Sequence, residues 1–182
     1  APEPSLVLLD EPFNNLDGAL KAGLLSELRR IIHRTRAAAV VVTHDPEDAL
    51  ALADRIAVLS DGRIVQCDSP ETVYTSPASA EIARFFGPVN VVPPSWFPGP
   101  PTVEGWGLVR PRDVVVEPGD PGNATMFVED AQFRGDYLEV WITDRPSGRE
   151  IVAHCSLESG LHFGDPVEVK FGRPAHRRRN SA

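Results

Sequence analysis

Six prolines, Pro88, Pro93, Pro94, Pro98, Pro100 and Pro101, crowd into the stretch GPVNVVPPSWFPGPP. Proline fixes its own φ and has no amide hydrogen to donate, so neither a helix interior nor a central strand survives such a density. The stretch therefore predicts a domain boundary. It divides the chain into a first region over 1–87, a proline-rich link over 88–107, a second region over 108–172 and a basic tail over 173–182. With 182 residues, 42% hydrophobic and 24% charged, the chain has room for one medium domain or two small ones, each around a real core.

The two regions carry different periodicities. Before the prolines, the apolar run LVLLD is followed by a helical pattern with Leu20, Leu24, Leu25, Leu28, Ile31 and Ile32 on one face, and then by AAAVVVT. That order is one β-α-β unit. A short helix over EDALALA comes next, then RIAVLS and RIVQC on either side of Asp61-Gly62, which read as a hairpin at a sheet edge. Continuous apolar strands imply burial on both faces, so the first region is expected to be a piece of an α/β sheet. After the prolines come five short segments with turn signals between them: GLVRPRDVVVEP, ATMFVEDAQFRG, YLEVWIT, REIVAHC and DPVEVKF. In the last, Val167, Val169 and Phe171 alternate with Glu168 and Lys170. This spacing suggests a small β-barrel or sandwich.

Charge and cysteine usage remove several function classes. The net charge of -8 works against binding driven by phosphate neutralisation, although the tail carries Arg177, Arg178 and Arg179. From Pro88 onward there are 13 acidic and 10 basic residues, so a nucleic-acid-binding groove would have to be very local, and none is expected. Cys67 and Cys155 stand alone, without a second ligand at metal spacing, which fits a reduced setting. No run reaches the roughly 18 apolar residues of a membrane span, and the N-terminus lacks the layout of a signal peptide.

The candidate chemistry lies at two strand ends. Asp10 and Glu11 terminate the first strand, which in an open α/β sheet puts them at the carboxyl edge where ligands bind. A hard divalent cation would relieve the repulsion between them. Mg²⁺ bound to substrate phosphates needs only one or two protein carboxylates, leaving the neighbouring carboxylate to orient or deprotonate an attacking water. Taken alone, a solvated acidic strand end is the better reading. His44 shifts the balance, because it ends the second strand and shares that edge if the two strands run parallel. Helix grammar explains its neighbours without function: Asp45 as N-cap, Pro46 at the first position, Glu47 and Asp48 against the helix dipole. Asp17 equally suits an N-cap of the helix that carries Leu20 to Ile32.

The order of these motifs is that of a known family. LVLLDEP, then FNNLD, then VVVTHD resemble the Walker B motif, D-loop and H-loop of ATP-binding cassette (ABC) transporter ATPases. ALALADRIAVLSDGRIVQCDSPETVYTSPASAEIARFFG resembles the end of the nucleotide-binding domain of importer subunits. LVRPRDVVV, FRGDYLEVWI and GDPVEVKF are similar to the TOBE domain, an OB-like barrel appended to ATPases that energise uptake of sugars, polyamines, ferric iron or oxyanions. The resemblance covers nearly the whole chain, and its most specific part is the ordered triple DE, LD and THD.

The fold this resemblance implies is an α/β partial nucleotide-binding domain, the C-terminal part of a P-loop NTPase sheet, followed by a small all-β OB-like (TOBE) barrel. ATP and Mg²⁺ are the implied cofactors. By position, Asp10 corresponds to the aspartate that holds Mg²⁺ through water, Glu11 to the glutamate that activates the hydrolytic water, and His44 to the switch histidine at the γ-phosphate. Asp17 corresponds to the D-loop aspartate acting across a dimer interface. FNNLD departs from the commoner serine-containing D-loop at Asn14 and Asn15. Implied partners are membrane-spanning permease subunits, a second copy of the ATPase and, indirectly, an external substrate-binding protein; the implied location is the inner face of the plasma membrane. Within the family, the compact second region leans toward the ferric-iron and polyamine branch.

A phosphate-cradling P-loop needs Gly-Lys-[Ser/Thr], because a glycine turn offers amides to the phosphates while the lysine reaches their oxygens. Here Leu20 precedes Lys21 and Val169 precedes Lys170, the chain's only lysines, so the 182 residues contain no such loop. No Q-loop or LSGGQ-type signature stands in them either. In the family these elements precede Walker B. The expectation is therefore the C-terminal portion of an importer ATPase, inactive by itself. The alternative is a non-catalytic module whose barrel binds a small anion or a regulatory protein.

Overall fold

In the computed structural model, which describes residues 5–35, 37–97 and 105–172, the run LVLLD forms strand β1 (Leu6–Asp10). It pairs in parallel with β2 (Ala38–Val42), in register from Leu6 opposite Ala38 to Asp10 opposite Val42. The crossover between them is helix α1 (Gly18–Thr35), and the Asp17 carboxylate accepts the Leu20 amide at its start, 2.9 Å away. Helix α2 (Pro46–Leu52) begins at the expected cap: Asp45 Oδ1 accepts from the Glu47 amide at 2.8 Å, and Pro46 takes the first turn. Strands β3 (Ile56–Ser60) and β4 (Arg63–Asp68) form the antiparallel hairpin, turning at Asp61 and Gly62 with φ of 49° and 72°. Both values are positive, as the turn that matches strand twist requires. Helix α3 (Pro70–Thr75), capped by Ser69, completes this unit, which ends at Pro77.

Burial here departs from expectation. Leu6, Leu8, Val40 and Val42 are at least half exposed, while Val7, Leu9, Ala39 and Val41 are half-buried. Helix α1 holds no buried residue, and Leu20, Leu24 and Ile31 along it are exposed. The strands are thus covered on one face at most. The reason is material: a two-stranded sheet with a single crossover helix has nothing with which to cover its second face.

The second unit, from Ala78, opens with helix α4 (Ala80–Phe85), whose N-cap Ser79 accepts the Ile82 amide. Strand β5 (Asn90–Val92) pairs antiparallel with β6 (Gly107–Val109). A 3-10 turn at Pro111–Asp113 leads into β7 (Val114–Pro118), followed by β8 (Met126–Phe133), β9 (Leu138–Asp144), β10 (Arg149–Cys155) and β11 (Pro166–Phe171). These last five make one antiparallel sheet in the order β10-β9-β8-β11-β7. Its core gathers Val128, Val140, Ile142, Ile151, Ala153 and Val167, all essentially inaccessible, with Trp96 stacked on Phe171 at 6.3 Å. In β11, Val167 and Phe171 are buried while Glu168 and Lys170 are exposed, as the alternation predicts. Among the described residues no ladder joins the outer strands β10 and β7.

The proline stretch is less of a link than its composition suggests. Strand β5 fits between Pro88 and Pro93, and Val92 and Phe97 enter the core of the sheet. The chain divides into its two compact units between Pro77 and Ala78, before the stretch begins. Pro98, Pro100, Pro101 and the basic tail with Arg177, Arg178 and Arg179 lie outside the described residues.

Two buried polar side chains tie this unit together. Asn90, on β5, meets β10 as another strand would: its Nδ2 donates to the Val152 carbonyl and its Oδ1 accepts the Val152 amide, both at 2.8 Å. Arg110 places Nη1 among the carbonyls of Ala83, Gly87 and Pro88 at 2.8–3.0 Å, which satisfies acceptors at the end of α4.

Candidate functional site

Parallel pairing of β1 and β2 brings their carboxyl ends side by side, so the residues that follow them share one edge. The ladder continues one residue beyond the strands, because the Glu11 amide donates to the Val42 carbonyl at 2.9 Å. Glu11 takes a φ of 45°, in the left-handed region that costs a residue with a Cβ on the order of 1 kcal/mol. The following loop is anchored by buried Phe13 and by the Asn14 amide donating back to the Glu11 carbonyl at 3.2 Å. Backbone and loop together fix where the Glu11 side chain starts.

That side chain meets His44. Glu11 Oε1 lies 2.7 Å from His44 Nδ1, across 33 residues of sequence. The Glu11 side chain is 32% exposed and the His44 side chain 71%, so the pair sits at the surface with the far edge of the imidazole open. The hydrogen bond to Glu11, with its charge, raises the His44 pKa above the ordinary value. Asp10 is exposed at the same edge, and no hydrogen bond or ion pair occupies its carboxylate among the described residues. Asp17 caps α1, and no hydrogen bond or ion pair among the described residues links it to Glu11 or His44.

The residues around His44 are held by a group that sequence reading passed over. Lys21, one turn into α1, forms ion pairs with Asp45 Oδ2 and with Asp48 Oδ1, the latter at 2.7 Å. The hydrogen bonds that Lys21 donates to these carboxylates push its pKa up to about 12, and Lys21 in turn holds Asp45 below the usual carboxylate range. On the other side of His44, Thr43 Oγ1 accepts the Asp45 amide at 3.0 Å and reaches Asp48 Oδ2 at 3.4 Å. Capping grammar accounted for Asp45 and Asp48, and Lys21 entered only as a lysine that no glycine precedes. No sequence signal pointed to it: the burial of Asp48 in a capped first turn, which demands a cation from elsewhere, is seen only in the fold.

Among the described residues no cluster of three or more His, Cys, Asp or Glu could enclose a metal ion. A caged metal centre does not fit. A single uncommitted carboxylate at a strand end fits the other arrangement, in which phosphates and waters supply most ligands of Mg²⁺ and the protein supplies one oxygen. No helix among the described residues is long and apolar enough to cross a membrane.

No family model matches the chain. Curated proteins do. The Fe(3+) ions import ATP-binding protein FbpC of Streptomyces coelicolor is 37% identical over 186 residues, covering 94% of this chain and 53% of that protein. The protein of the same name from Brucella melitensis is 33% identical, over 93% of this chain and 53% of its own length. The Sulfate/thiosulfate import ATP-binding protein CysA of Xylella fastidiosa is 38% identical over 88% of this chain and 46% of its own length. The chain therefore spans about half the length of the curated relatives it matches.

Proposed function

Over most of its length the chain is homologous to ATP-binding subunits of ABC importers, and from that premise we propose that it carries the water-activating side of an ATP-hydrolysing site. The observation that carries the reading is the 2.7 Å contact between Glu11 and His44 at the carboxyl edge of a parallel strand pair. In this reading Glu11 takes the proton of the attacking water. His44 Nδ1–H donates to Glu11 and fixes its orientation, while the exposed far edge of the ring meets the γ-phosphate. The pairing suits general base catalysis, which needs a carboxylate held within hydrogen-bond reach of one water. Asp10 would hold Mg²⁺ through water. Bound Mg²⁺ neutralises the charge that develops on the phosphate oxygens. Asp17, whose carboxylate caps α1, acts across the interface of a head-to-tail pair of subunits.

Phosphoryl transfer needs a phosphate cradle, a metal and water-positioning groups acting together. The 182 residues supply only the last two, so by themselves they bind Mg-ATP weakly and do not turn it over. The second unit, in this reading, is the TOBE barrel. The whole protein energises an importer, docked on membrane-spanning subunits at the inner face of the membrane. The relatives' names carry ferric iron in some cases and sulfate or thiosulfate in others, and ferric iron is the one that the sequence also favours.

A chimera tests the proposal. Residues 1–172 replace the corresponding half of the Streptomyces coelicolor relative, which supplies the missing half of the site. We expect hydrolysis by the chimera and a loss of about 100-fold or more in kcat with Glu11→Gln, at unchanged ATP affinity. A folded chimera that binds ATP and fails to hydrolyse it, beside an active relative, sinks the reading. ATPase activity of the 182 residues alone that Glu11→Gln removes would overturn only their inactivity in isolation.

A further inference from the structure

We propose that Lys21 is a positioning residue for His44, acting through the two carboxylates that flank the histidine's loop. The inference rests on the reading of Glu11 and His44 as the hydrolytic pair and adds to it a third element, helix α1. Lys21 lies between Asp45 and Asp48, with its side chain only 19% exposed, and Asp48 is almost fully buried at 4%. Asp45 directly follows His44 in sequence. One of its oxygens is committed to the cap of α2 and the other to Lys21, so its side chain has no freedom left. Thr43, directly before His44, is bound to the Asp45 amide and to Asp48. Both neighbours of His44 are thus immobilised in one network whose only cation among the described residues is Lys21, and His44 alone is free to reach Glu11.

Two carboxylates this close, one of them buried, repel each other unless a cation lies between them. Without Lys21 the loop relieves that repulsion by moving Asp45 toward water, and His44 moves with it. Lysine suits the task because its compact ammonium serves two acceptors at once. The groups that face His44 are Glu11 from the end of β1, Asp45 on its own loop and Lys21 from α1. They surround it with two negative charges and one positive.

The test reads His44 itself, by long-range ¹H–¹⁵N correlation of its imidazole nitrogens in the 182-residue chain, above the pH at which the ring is charged. The unmodified chain should show the Nδ1–H tautomer enforced by Glu11. Lys21→Met should lose that preference and revert to the mixture of a free imidazole, while Lys21→Arg retains it. Should Lys21→Met fail to fold, the double variant Lys21→Met/Asp48→Asn removes the orphaned buried charge and still leaves Asp45 without its partner. An unchanged His44 pattern in a folded Lys21→Met or double variant overturns the proposal. A double variant that also fails to fold makes Lys21 a staple of the fold, which overturns it equally. The chimera's activity plays no part in this readout, so the two readings fail separately.

Discussion

Glu11 occupies a backbone conformation that its own side chain disfavours, and it is kept there by a ladder bond to Val42 and by a loop anchored on Phe13. Strain of this kind persists only where the surroundings over-determine it. Its consequence is the bond to His44, and that bond sets a pH dependence. The carboxylate favours the charged imidazole, so the His44 midpoint lies above its ordinary value of 6.5. A raised midpoint means that the bond contributes fully below the unfolded-state value and fades as pH climbs through the folded one. Glu11→Gln removes the charge and keeps an acceptor, and the midpoint should fall back toward 6.5, measured on the ring protons of His44 by NMR. A midpoint that does not move means that the two side chains do not pair in solution. Sequence showed Asp10 and His44 at a common edge because strand polarity alone decides it. Lys21 was illegible because its partners lie 24 and 27 residues away, and helix grammar had already explained Asp45 and Asp48.

Elements form where local pattern and local chemistry agree, and most of them were legible for that reason. The caps at Asp17 and Asp45, the Asp61-Gly62 turn and the alternation in β11 each rest on residues within a few positions of one another. Strand β5 was not legible, since three residues between prolines carry no periodicity of their own. It is fixed from outside, by β6 and by the Asn90 amide lying along the free edge of β10. Each of the two hydrogen bonds between Asn90 and Val152 is worth about 1 kcal/mol net, and Val152 is left with an unpaired N–H and carbonyl if they are lost. Asn90→Ala should therefore destabilise the second unit by about 2 kcal/mol, a fall in melting temperature on the order of 10 °C. Hydrogen exchange at the Val152 amide should accelerate in the same variant while amides central to β9 remain protected. Equal acceleration at both positions would show that Asn90 supports the whole sheet and not the edge of β10.

Across the whole molecule the apolar residues are placed unevenly. Among the described residues, Phe13, Ile56 and Val73 are the buried apolar side chains of the first unit, against fourteen in the second. Apolar pattern tells which residues would gain by burial, and for β1, β2 and α1 it predicted a burial that the described residues do not show. It does not tell whether the covering surface lies within the same 182 residues, which is why Leu6, Leu8, Val40 and Val42 stand exposed. Complete burial of a large apolar side chain is worth about 1.5–3 kcal/mol, whereas ordering the backbone costs about 1–2 kcal/mol for every residue. Three such side chains, with partly buried neighbours, leave the first unit close to the limit of stability, while the sheet of the second unit has a full core. Unfolding should therefore proceed in two steps, the first unit opening at lower denaturant. Brief proteolysis should cut within residues 5–77 and leave a resistant product that begins near Ala78, identified by its mass. Leu8→Glu, placed on the exposed face of β1, should leave the second step unmoved and reduce self-association of the chain. One cooperative transition, with equal amide protection in β1 and β9, would contradict this division and mean that the first unit finds its cover within the chain.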